Sequence, residues 1–423
     1  MKVLVITYYW PPAGGSGVQR WLKFVKYLPS FDIEPIVYTV ENPKYAVNDN
    51  SLMEEVPESI EVIRESIWEP NSLIELFSGN KGKQSAGFLD PNPSLFGRFM
   101  QYIRANYFIP DARKFWIKPS VRKLKKYIID HKIGAIITTG PPHSLHIIGS
   151  KLKETTGVKW IADFRDPWTN IDYFHNLPLT ETARKKHHEL EDMVLKSADV
   201  VVVVGSNMEK EFRSRSNKVV VISNGYDEEP EAGEVMLDEK FSISHIGMMN
   251  ADRNPRILWL ALKELIDESE EFSNDLRVKL IGQCDPAVYE SVREHGLQNH
   301  TNYVSYVSHK DVIKFQRSSQ LLLLSVNNVP SAKGVVTGKV FEYLQSKRPI
   351  IGIGPVDGDL SVILKETSSG EMVDFDDLIT LKGIIKAQYD RYKSGNLLVE
   401  SKNIEQYHRK NLTKELAKVL KEL

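Results

Sequence analysis

Cysteine is almost absent from this chain. Cys284 is the one cysteine among 423 residues, so neither an intramolecular disulfide nor a cysteine-based zinc cluster can form. The sequence also has no apolar run of the roughly 18 residues that a membrane span requires. Its first residues, MKVLVITYYW, enter a β-branched run without the basic and apolar regions of a signal peptide. These absences predict a cytoplasmic protein in a reducing compartment.

The chain also lacks an excess of charge of either sign. Its 55 Lys and Arg residues balance 56 Asp and Glu residues, for a formal net charge of −1. No overall field therefore favours nucleic acid, and we expect no nucleic-acid partner. Apolar residues make up 41% and charged residues 26%, which is typical of a globular protein. At about 150 residues per domain, the length predicts two or three domains.

Short β-branched runs recur along the chain, each followed by a turn and a helical pattern. The first series is KVLVIT, EPIVYTV, IGAIITT, VKWIADF, ADVVVVVG and NKVVVIS, and the second is FSISHIG, LRVKLIG, TNYVSYV, SQLLLLSV and RPIIGIG. Strands that are apolar on both faces indicate parallel sheets with helical crossovers. An acidic segment with Gly and Pro, residues 224–238, separates the two series and is predicted to be a linker. The sequence therefore predicts two α/β domains that are each doubly wound and Rossmann-like, with ligands at the carboxyl ends of the strands in a cleft between them.

The predicted domain boundaries follow from this rhythm. Residues 1–223 form the N-terminal domain and residues 224–400 the C-terminal domain. Residues 401–423 form a charged amphipathic helix that closes the chain and could pack back across the domains. Residues from about 65 to 119 do not follow the strand-helix alternation, so we interpret them as an insertion.

A glycine-rich loop follows the first predicted strand, in TYYWPPAGGSGVQRW. Gly14, Gly15 and Gly17 would let the backbone approach a ligand closely, with the next helix N-terminus beside it. The loop is too long for a dinucleotide fingerprint and lacks its third glycine. The alternative is that these glycines only form a turn.

Polar residues follow two other strands of the first series. His143, in TTGPPHS, could act on an acceptor hydroxyl or a phosphate, although a lone histidine is more often structural. The loop WIADFRDPW carries Asp163, Arg165 and Asp166, and charges at a strand's carboxyl end suit substrate binding. The alternative is an Arg-Asp pair that fixes the loop, and the D-x-x-D spacing is too common to indicate a metal site.

The second series has its own polar residues after its first strand, in HIGMMNADRNP. Gly247 ends that strand, and Arg253 lies just before a helix that Pro255 can start. A guanidinium near a helix N-terminus is a suitable diphosphate ligand because its fork of donors adds to the positive end of the helix dipole.

The stretch TGKVFEYLQSKRPIIGI combines a turn, a short helix and a buried strand. Thr337 and Gly338 form the predicted turn, and Lys339 and Glu342 share one face of the helix that follows. Lys339 and the amides beside it could bind phosphate, and the Glu342 carboxylate could accept two hydroxyls of a ribose. The alternative is a surface ion pair of little energetic consequence.

With these motifs, the chain resembles the GT-B glycosyltransferases, and among them family 4, the retaining enzymes that use nucleotide-activated sugars. The resemblance rests on PPAGGSG, on SNGYD at the domain junction, on HIG with Arg253, and on TGKVFEYLQSKRPIIGI. It implies that Arg253 and Lys339 neutralise a diphosphate and that Glu342 holds the ribose. It also implies that Gly14 and Gly15 border the reacting centre, and that the enzyme needs a nucleotide sugar as co-substrate but no metal or other cofactor.

One position departs from the family pattern. The usual signature has two glutamates eight residues apart, and the position eight residues before Glu342 is Gly334. The glutamate that addresses the transferred sugar in the family is therefore missing. Lys333 and the backbone of residues 334–336 could take its place, so the donor sugar is in question more than the fold.

Residues 97–126 suggest the acceptor. They contain nine Lys or Arg residues against one Asp, interleaved with aromatic residues. Such a segment could lie on an anionic membrane, at the inner face of the cytoplasmic membrane, and admit a lipid-linked acceptor. The alternative is a helix that packs its aromatic side chains into the N-terminal domain.

The predicted function is thus transfer of a sugar from a nucleotide-sugar donor to a glycan or lipid-linked saccharide, in surface polysaccharide biosynthesis. Two other functions remain open: a nucleotide-sugar 2-epimerase of the same fold, and a non-catalytic binding protein related to glycosyltransferases.

Overall fold

The computed structural model of the chain describes residues 1–45, 47–69, 94–227, 235–305, 307 and 309–423. The chain divides into two compact units. The N-terminal unit consists of Met1–Ser223 together with Arg409–Leu423, and the C-terminal unit is Asn224–His408. The C-terminal unit thus extends past the boundary predicted at residue 400. Residues 228–234 of the predicted linker and residues 70–93 of the predicted insertion lie outside the described residues.

Each unit contains one parallel sheet. Within the described residues, the N-terminal sheet has seven strands in the order β3-β2-β1-β4-β5-β6-β7, and the C-terminal sheet has six in the order β10-β9-β8-β11-β12-β13. The N-terminal strands are β1 (Lys2–Ile6), β2 (Glu34–Val40), β3 (Glu61–Glu65), β4 (Ala135–Gly140), β5 (Lys159–Phe164), β6 (Val200–Val203) and β7 (Val219–Val221). The C-terminal strands are β8 (Phe241–Ile246), β9 (Leu276–Ile281), β10 (Thr301–Val304), β11 (Leu321–Ser325), β12 (Ile350–Ile353) and β13 (Gly370–Val373).

Helices connect the strands of each sheet. The N-terminal unit contains α1 (Ser16–Tyr27), α2 (Leu95–Tyr107), α3 (Ile117–Asp130), α4 (Ser144–Thr156), α5 (Glu181–Ser197) and α6 (Ser206–Arg213). The C-terminal unit contains α7 (Arg256–Glu268), α8 (Glu270–Asp275), α9 (Pro286–Glu294), α10 (His309–Ser318), α11 (Lys339–Leu344), α12 (Asp359–Glu366) and α13 (Leu378–Lys393). The last helix, α14 (Arg409–Lys421), returns to the N-terminal unit.

Successive residues of a strand enter different cores. In β1, Leu4 belongs to the hydrophobic cluster on one face of the sheet, and Val3 and Val5 belong to the cluster on the other face. The same division occurs in β11, where Leu322 and Leu323 join different clusters. Because successive side chains of a strand point to opposite faces, both faces of each sheet are covered. This arrangement confirms two doubly wound, Rossmann-like domains.

The last helix completes the core of the N-terminal unit. Leu412, Leu416 and Leu420 of α14 are buried in the cluster that also holds Trp21 and Leu22 of α1. Residues 409–423 therefore belong to the N-terminal core, although nearly two hundred residues separate them from Ser223. Within the described residues, no helix combines the length and the apolar composition that crossing a bilayer requires.

Candidate functional site

The strand orders identify where each sheet can bind a ligand. In a doubly wound sheet, ligands bind at the carboxyl ends of the strands, where the strand order reverses. That point lies between β1 and β4 in the N-terminal sheet and between β8 and β11 in the C-terminal sheet. The loop after β1 holds Gly14 and Gly15, and the loop after β8 holds Gly247 and Arg253. These four predicted site residues thus lie in loops that the topology favours, two in each unit.

The glycine loop of the N-terminal unit is fixed from one side. The Gly14 amide donates to the Val47 carbonyl oxygen at 2.9 Å, and a Cβ at Gly14 would lie 2.9 Å from Val47 Cγ1. Gly15 precedes α1 with φ of +92°, a conformation that favours glycine, and no atom lies within 4 Å of the place of its Cβ. The loop therefore has a packed residue, Gly14, followed by an open one, Gly15.

His143 follows β4 and precedes the first residue of α4. Its ring stacks on Trp168 with centroids 4.6 Å apart and planes at 4°. Burial, reinforced by His146, His187 and Arg165, lowers the pKa of His143 well below its usual value. Its Nδ1 is buried without a partner in the described residues. The imidazole is therefore neutral at neutral pH, so His143 can take part in a hydrogen bond but cannot offer a phosphate a positive charge.

Arg165 and Asp166 lie in the loop after β5, next to the end of β4. Arg165 donates from Nη2 to the Pro141 carbonyl oxygen at 2.5 Å and from its amide to the Gly140 carbonyl oxygen at 3.1 Å. A Cβ at Gly17 would overlap its Nη1, so the arginine also lies against the glycine loop. Although part of the Asp166 residue is exposed, desolvation by the protein around its carboxyl group raises its pKa, whereas Arg165 lowers it. The structure thus brings His143, Arg165 and Asp166 to adjacent strand ends; their catalytic roles stay predictions.

Asp163, two residues earlier, has a different environment. Its carboxylate is fully buried and accepts hydrogen bonds from Arg20 Nη2 at 2.8 Å, Trp21 Nε1 at 2.7 Å and Thr139 Oγ1 at 2.9 Å. Arg20 also donates to the carbonyl oxygens of residues 222 and 223, both at 2.8 Å. In WIADFRDPW, the buried carboxylate is therefore that of Asp163. It pairs with Arg20 of α1, and its role is structural.

In the C-terminal unit, Lys339 lies against Gly247. Gly247 has φ of +108°, and a Cβ there would lie 2.5 Å from Lys339 Cε. The Lys339 Nζ is 3.2 Å from His245 Nε2 and 3.4 Å from the Met248 carbonyl oxygen. Burial, with a smaller contribution from Arg253, lowers the pKa of Lys339 to about 7, whereas Glu342 opposes the shift. The glycine is required because its lack of a side chain makes room for the lysine.

Arg253 is held by groups of the neighbouring strand end. Its Nε donates to Asn327 Oδ1 at 2.8 Å, and its carbonyl oxygen accepts from Ser325 Oγ at 2.7 Å. Its amide donates to Asn250 Oδ1 at 3.0 Å, which caps the short turn Ala251–Arg253. The loops after β8 and β11 are therefore joined at this arginine, whose positive charge is close enough to influence Lys339.

Glu342 lies on α11, one turn after Lys339. Its Oε2 accepts a hydrogen bond from Gln316 Nε2 of α10 at 3.0 Å, and its side chain is half-buried. The helix is only six residues long, so its dipole adds little to an anion site. The charge available to a phosphate at this place is that of Lys339 and Arg253.

The other predicted residues of this stretch are further from that centre of charge. Lys333 pairs with Asp357 at 2.6 Å, and both side chains are exposed. Thr337 is half-buried, and Gly338 is exposed with an ordinary φ of −57°. Gly334 ends the turn Ala332–Gly334. The structure therefore groups Gly247, Arg253 and Lys339, whereas the donor roles of Lys333, Thr337 and Gly338 stay predictions.

Sequence reasoning missed three polar residues of this unit. His245, Gln316 and Asn327 contact Lys339, Glu342 and Arg253 respectively. His245 lies in the HIG motif but on a strand, where a buried histidine gives no signal of its own. Gln316 and Asn327 reach their partners across tens of residues of sequence, so no local spacing indicates these pairs. In the described residues, no group of three or more His, Cys, Asp or Glu side chains could hold a metal ion.

Several solved structures have folds that match this chain over its whole length. A sucrose-phosphate synthase from Thermosynechococcus elongatus matches 100% of this chain and 98% of its own, at 14% identity and a TM-score of 0.62. HepE of Anabaena, described in complex with UDP and glucose, matches 100% of both chains at 13% identity and a TM-score of 0.61. The fold is GT-B. The GT-B match extends to a putative UDP-N-acetylglucosamine 2-epimerase from Listeria monocytogenes, with 99% and 95% of the two chains covered, 11% identity and a TM-score of 0.56.

Similarity in sequence adds nothing to this structural match. No protein-family model and no curated protein sequence matches the chain. At the identities given above, the solved structures establish the GT-B fold and leave the activity to be argued from the site.

Proposed function

We propose that this chain is a retaining glycosyltransferase of the family 4 type, which transfers a hexose from a nucleotide-sugar donor to a glycan or lipid-linked saccharide in surface polysaccharide biosynthesis. The observation that carries the proposal is the grouping of Lys339 and Arg253 at Gly247, at the switch point of the C-terminal sheet. Two cationic groups beside a glycine offer the charge and the space that a diphosphate needs. The GT-B fold of HepE, described with UDP and glucose, supports the same donor class.

Each part of the donor would have its own contacts. Lys339 and Arg253 would balance the charge that develops on the leaving diphosphate, so the reaction needs no metal ion. Glu342, held by Gln316, would accept the ribose hydroxyls. The Lys333 side chain and the backbone beside Gly334 would face the transferred sugar, with the turn at residues 337–338 next to them.

The acceptor would be served by the N-terminal unit. His143, Arg165 and Asp166 lie at the ends of β4 and β5, beside the glycine loop of Gly14 and Gly15. In a retaining transfer of the kind that the family resemblance implies, the leaving phosphate accepts the proton of the acceptor hydroxyl on the same face of the sugar. The neutral His143 and the Arg165 guanidinium would then orient the acceptor, and no carboxylate nucleophile is needed.

The proposed activity is tested in two steps. We expect one or more of UDP-glucose, UDP-N-acetylglucosamine, GDP-mannose and dTDP-glucose to raise the thermal unfolding temperature of the protein. The stabilising donor should then release free nucleotide when a suitable saccharide acceptor is added, and NMR of the product should show the anomeric configuration of the donor. If no nucleotide sugar binds, with or without acceptor, the non-catalytic alternative is favoured instead.

A 2-epimerase is the second candidate, because a putative UDP-N-acetylglucosamine 2-epimerase shares the fold. An epimerase interconverts its donor without any acceptor. Incubation of the donor with the protein alone should therefore leave the configuration at C2 unchanged in the NMR spectrum. Inversion at C2 under these conditions would establish the epimerase and exclude the transferase.

Replacing Glu342 by alanine tests the ribose contact. We expect a loss of about 1.5–3 kcal/mol in the binding of UDP or another nucleoside diphosphate, or about 10–100-fold in Kd, because hydrogen bonds to a charged acceptor are lost. The change should be much smaller for the 2′-deoxynucleotide, which has already lost one of the two hydroxyls. Calorimetric titration of the wild type and the variant with both nucleotides measures this difference, and equal losses for the two would contradict a ribose contact.

The basic segment of residues 97–126 divides into an exposed part and a packed part. In α2, the side chains of Leu95, Phe96 and Phe99 are 85%, 53% and 59% exposed, and Arg98 and Arg104 lie on the same helix. In the packed part, Trp116 is fully buried and stacks on Tyr38 at 5.2 Å. The packing alternative therefore describes the second half of the segment, and we restrict the membrane proposal to the first half.

Arg113 belongs to the packed part of the segment and does not offer its charge to a membrane. Arg113 is largely buried, pairs with Glu69 at 2.9 Å and lies over the Tyr8 ring at 4.6 Å, so its charge is used inside the protein. The exposed apolar and basic side chains of α2 remain, and they are the chemistry that anionic bilayer surfaces attract. We therefore propose that α2 attaches the cytoplasmic protein to the inner face of the cytoplasmic membrane, close to a lipid-linked acceptor.

Charge removal on α2 tests this attachment. The double variant Arg98→Ser, Arg104→Ser should bind vesicles containing phosphatidylserine about 30-fold more weakly than the wild type, because each charge near an anionic surface contributes about 1 kcal/mol. The matched control is Lys186→Ser, Lys210→Ser, which removes two exposed charges from α5 and α6. Sedimentation with the vesicles measures the binding. Equal behaviour of the two variants would show that α2 is not the attachment surface.

A further inference from the structure

The Lys339 amine has two hydrogen-bond acceptors among the described residues. These are His245 Nε2 at 3.2 Å and the Met248 carbonyl oxygen at 3.4 Å. A neutral amine has two N–H groups and a lone pair, whereas an ammonium has three N–H groups. Within the described part of the chain, no carboxylate lies within ion-pair distance of Nζ. The two acceptors therefore match the two N–H groups of a neutral amine. The lone pair of Nζ takes a further direction, in which a ligand can bind.

The two ring nitrogens of His245 have different neighbours, and Nε2 is the one that lies beside Lys339. Its side chain is almost completely buried on β8, and its Nδ1 lies 3.3 Å from the Leu323 carbonyl oxygen. Burial and the charge of Lys339 lower the pKa of His245 well below its usual value, so the ring is neutral and has one N–H. Its Nε2 lies 3.4 Å from the Met248 carbonyl oxygen as well as 3.2 Å from Lys339 Nζ. The tautomer that donates its N–H from Nδ1 to Leu323 is the one whose Nε2 lone pair can accept from Lys339. The histidine thus holds the amine beside Gly247.

Four charged or titratable groups face Lys339. His245 comes from β8, Arg253 from the loop after β8, Cys284 from the loop after β9, and Glu342 from the same helix as the lysine. Arg253 disfavours a second positive charge, and Glu342 favours it. Together with burial, they leave the amine with a pKa of about 7, so that both protonation states are populated at neutral pH.

We propose that Lys339 takes up a proton from solvent when a diphosphate binds beside Gly247, and that His245 is the positioning residue that holds the amine for this step. The inference rests on the proposed function, since it requires a diphosphate donor. A diphosphate oxygen would occupy the remaining direction around Nζ. The lone pair of Nζ takes a proton from water or buffer, and the new N–H donates to that oxygen. The negative charge of the ligand adds to that of Glu342, which is not within ion-pair distance of Nζ, and so favours the ammonium form.

The pH dependence of donor binding follows from this step. The diphosphate of a nucleotide sugar is a diester and stays fully ionised near neutral pH, so the ligand itself takes up no proton. If binding raises the pKa of Lys339 above its value of about 7 in the free protein, affinity is constant below that pH and falls as the pH rises through it. The fall approaches tenfold per pH unit until the pH reaches the pKa of the complex.

Calorimetric titration in two buffers of different ionisation enthalpy measures the proton directly. The ligand is the nucleotide sugar that stabilises the protein in the thermal screen. At pH 8, we expect uptake of about 0.9 proton per ligand, and at pH 6 about 0.1, because these are the neutral fractions of a group with a pKa of about 7. Uptake near zero at pH 8, with clear binding, would overturn the inference while leaving the proposed donor class intact. The absence of binding would instead contradict the proposed function.

Four variants assign the proton. Lys339→Arg keeps a permanent charge, so it should bind the donor without proton uptake at either pH. Lys263→Met removes an exposed lysine of α7 and should keep the full uptake. His245→Leu should lose most of the uptake, and His245→Gln, whose carbonyl oxygen can accept from Lys339, should restore it. Uptake that persists in Lys339→Arg would show that another group takes the proton, and equal uptake in His245→Leu and the wild type would exclude the positioning role.

Discussion

Replacing Arg20 by methionine should lower the free energy of unfolding by about 3–5 kcal/mol, because it leaves the buried Asp163 carboxylate without its counter-charge. Arg20 donates to Asp163 from Nη2 and Nε and also satisfies the carbonyl oxygens of residues 222 and 223. Methionine fills a similar volume but replaces none of these hydrogen bonds. The penalty arises mainly from the charge that stays buried and only partly from the lost attraction.

Urea unfolding measures this loss, and hydrogen exchange of the N-terminal unit assigns it. The matched control is Arg213→Met, which removes a side chain that is 74% exposed and pairs with Glu209 on α6, and which should cost less than about 1 kcal/mol. Adding Asp163→Asn to Arg20→Met should recover part of the loss, since the amide can still accept from Trp21 or Thr139 without a charge. If the Arg20 and Arg213 variants were equally stable, the buried pair would not be a main support of this unit.

Replacing Gly247 by alanine should weaken donor binding by about 30–100-fold. Gly247 has φ of +108°, and a Cβ would lie 2.5 Å from Lys339 Cε and 2.8 Å from Nζ. The lysine must therefore move away from the phosphate position, and a hydrogen bond to a charged group worth about 2–3 kcal/mol is lost. The left-handed backbone adds a stability cost of about 1 kcal/mol or more.

The control for this substitution is Gly383→Ala on α13. No atom lies within 4 Å of the place of its Cβ, and its backbone is helical. Alanine there should keep donor affinity unchanged and raise stability by about 0.4–1 kcal/mol. Calorimetric titration gives the affinities, and thermal unfolding shows whether the Gly247 variant remains folded. Unchanged affinity in a folded Gly247→Ala protein would show that Lys339 does not contact the donor.

Most of the fold could be predicted because its strands are apolar on both faces. Strands such as β4 and β6 are buried throughout, so their β-branched runs are visible in the sequence. Two strands were missed, β3 with the sequence EVIRE and β13 with GEMV. Both are edge strands of their sheets and partly exposed, so they carry charged residues and show no apolar run.

Some positions of the candidate site could be predicted because glycine at a strand end and a basic residue in the following loop have few structural roles there. Gly247, Arg253 and Lys339 were predicted as neighbours of one ligand, and they do lie together; their role in binding an anion stays a prediction. The roles of neighbouring charges were not predictable from spacing. Asp163 and Asp166 are three residues apart, but the strand β5 ends between them. Asp163 is therefore buried in the core, whereas Asp166 is exposed.

The position of α14 has a consequence for the order in which the protein is made. The C-terminal unit is one continuous stretch, so all its residues have been synthesised once His408 has left the ribosome. Most of the N-terminal unit is synthesised before the C-terminal unit. One face of its sheet is fully covered only when Leu412, Leu416 and Leu420 have also been synthesised. Multidomain chains usually complete their first domain first. Here the core of the N-terminal unit can be completed only after every residue of the C-terminal unit has been synthesised.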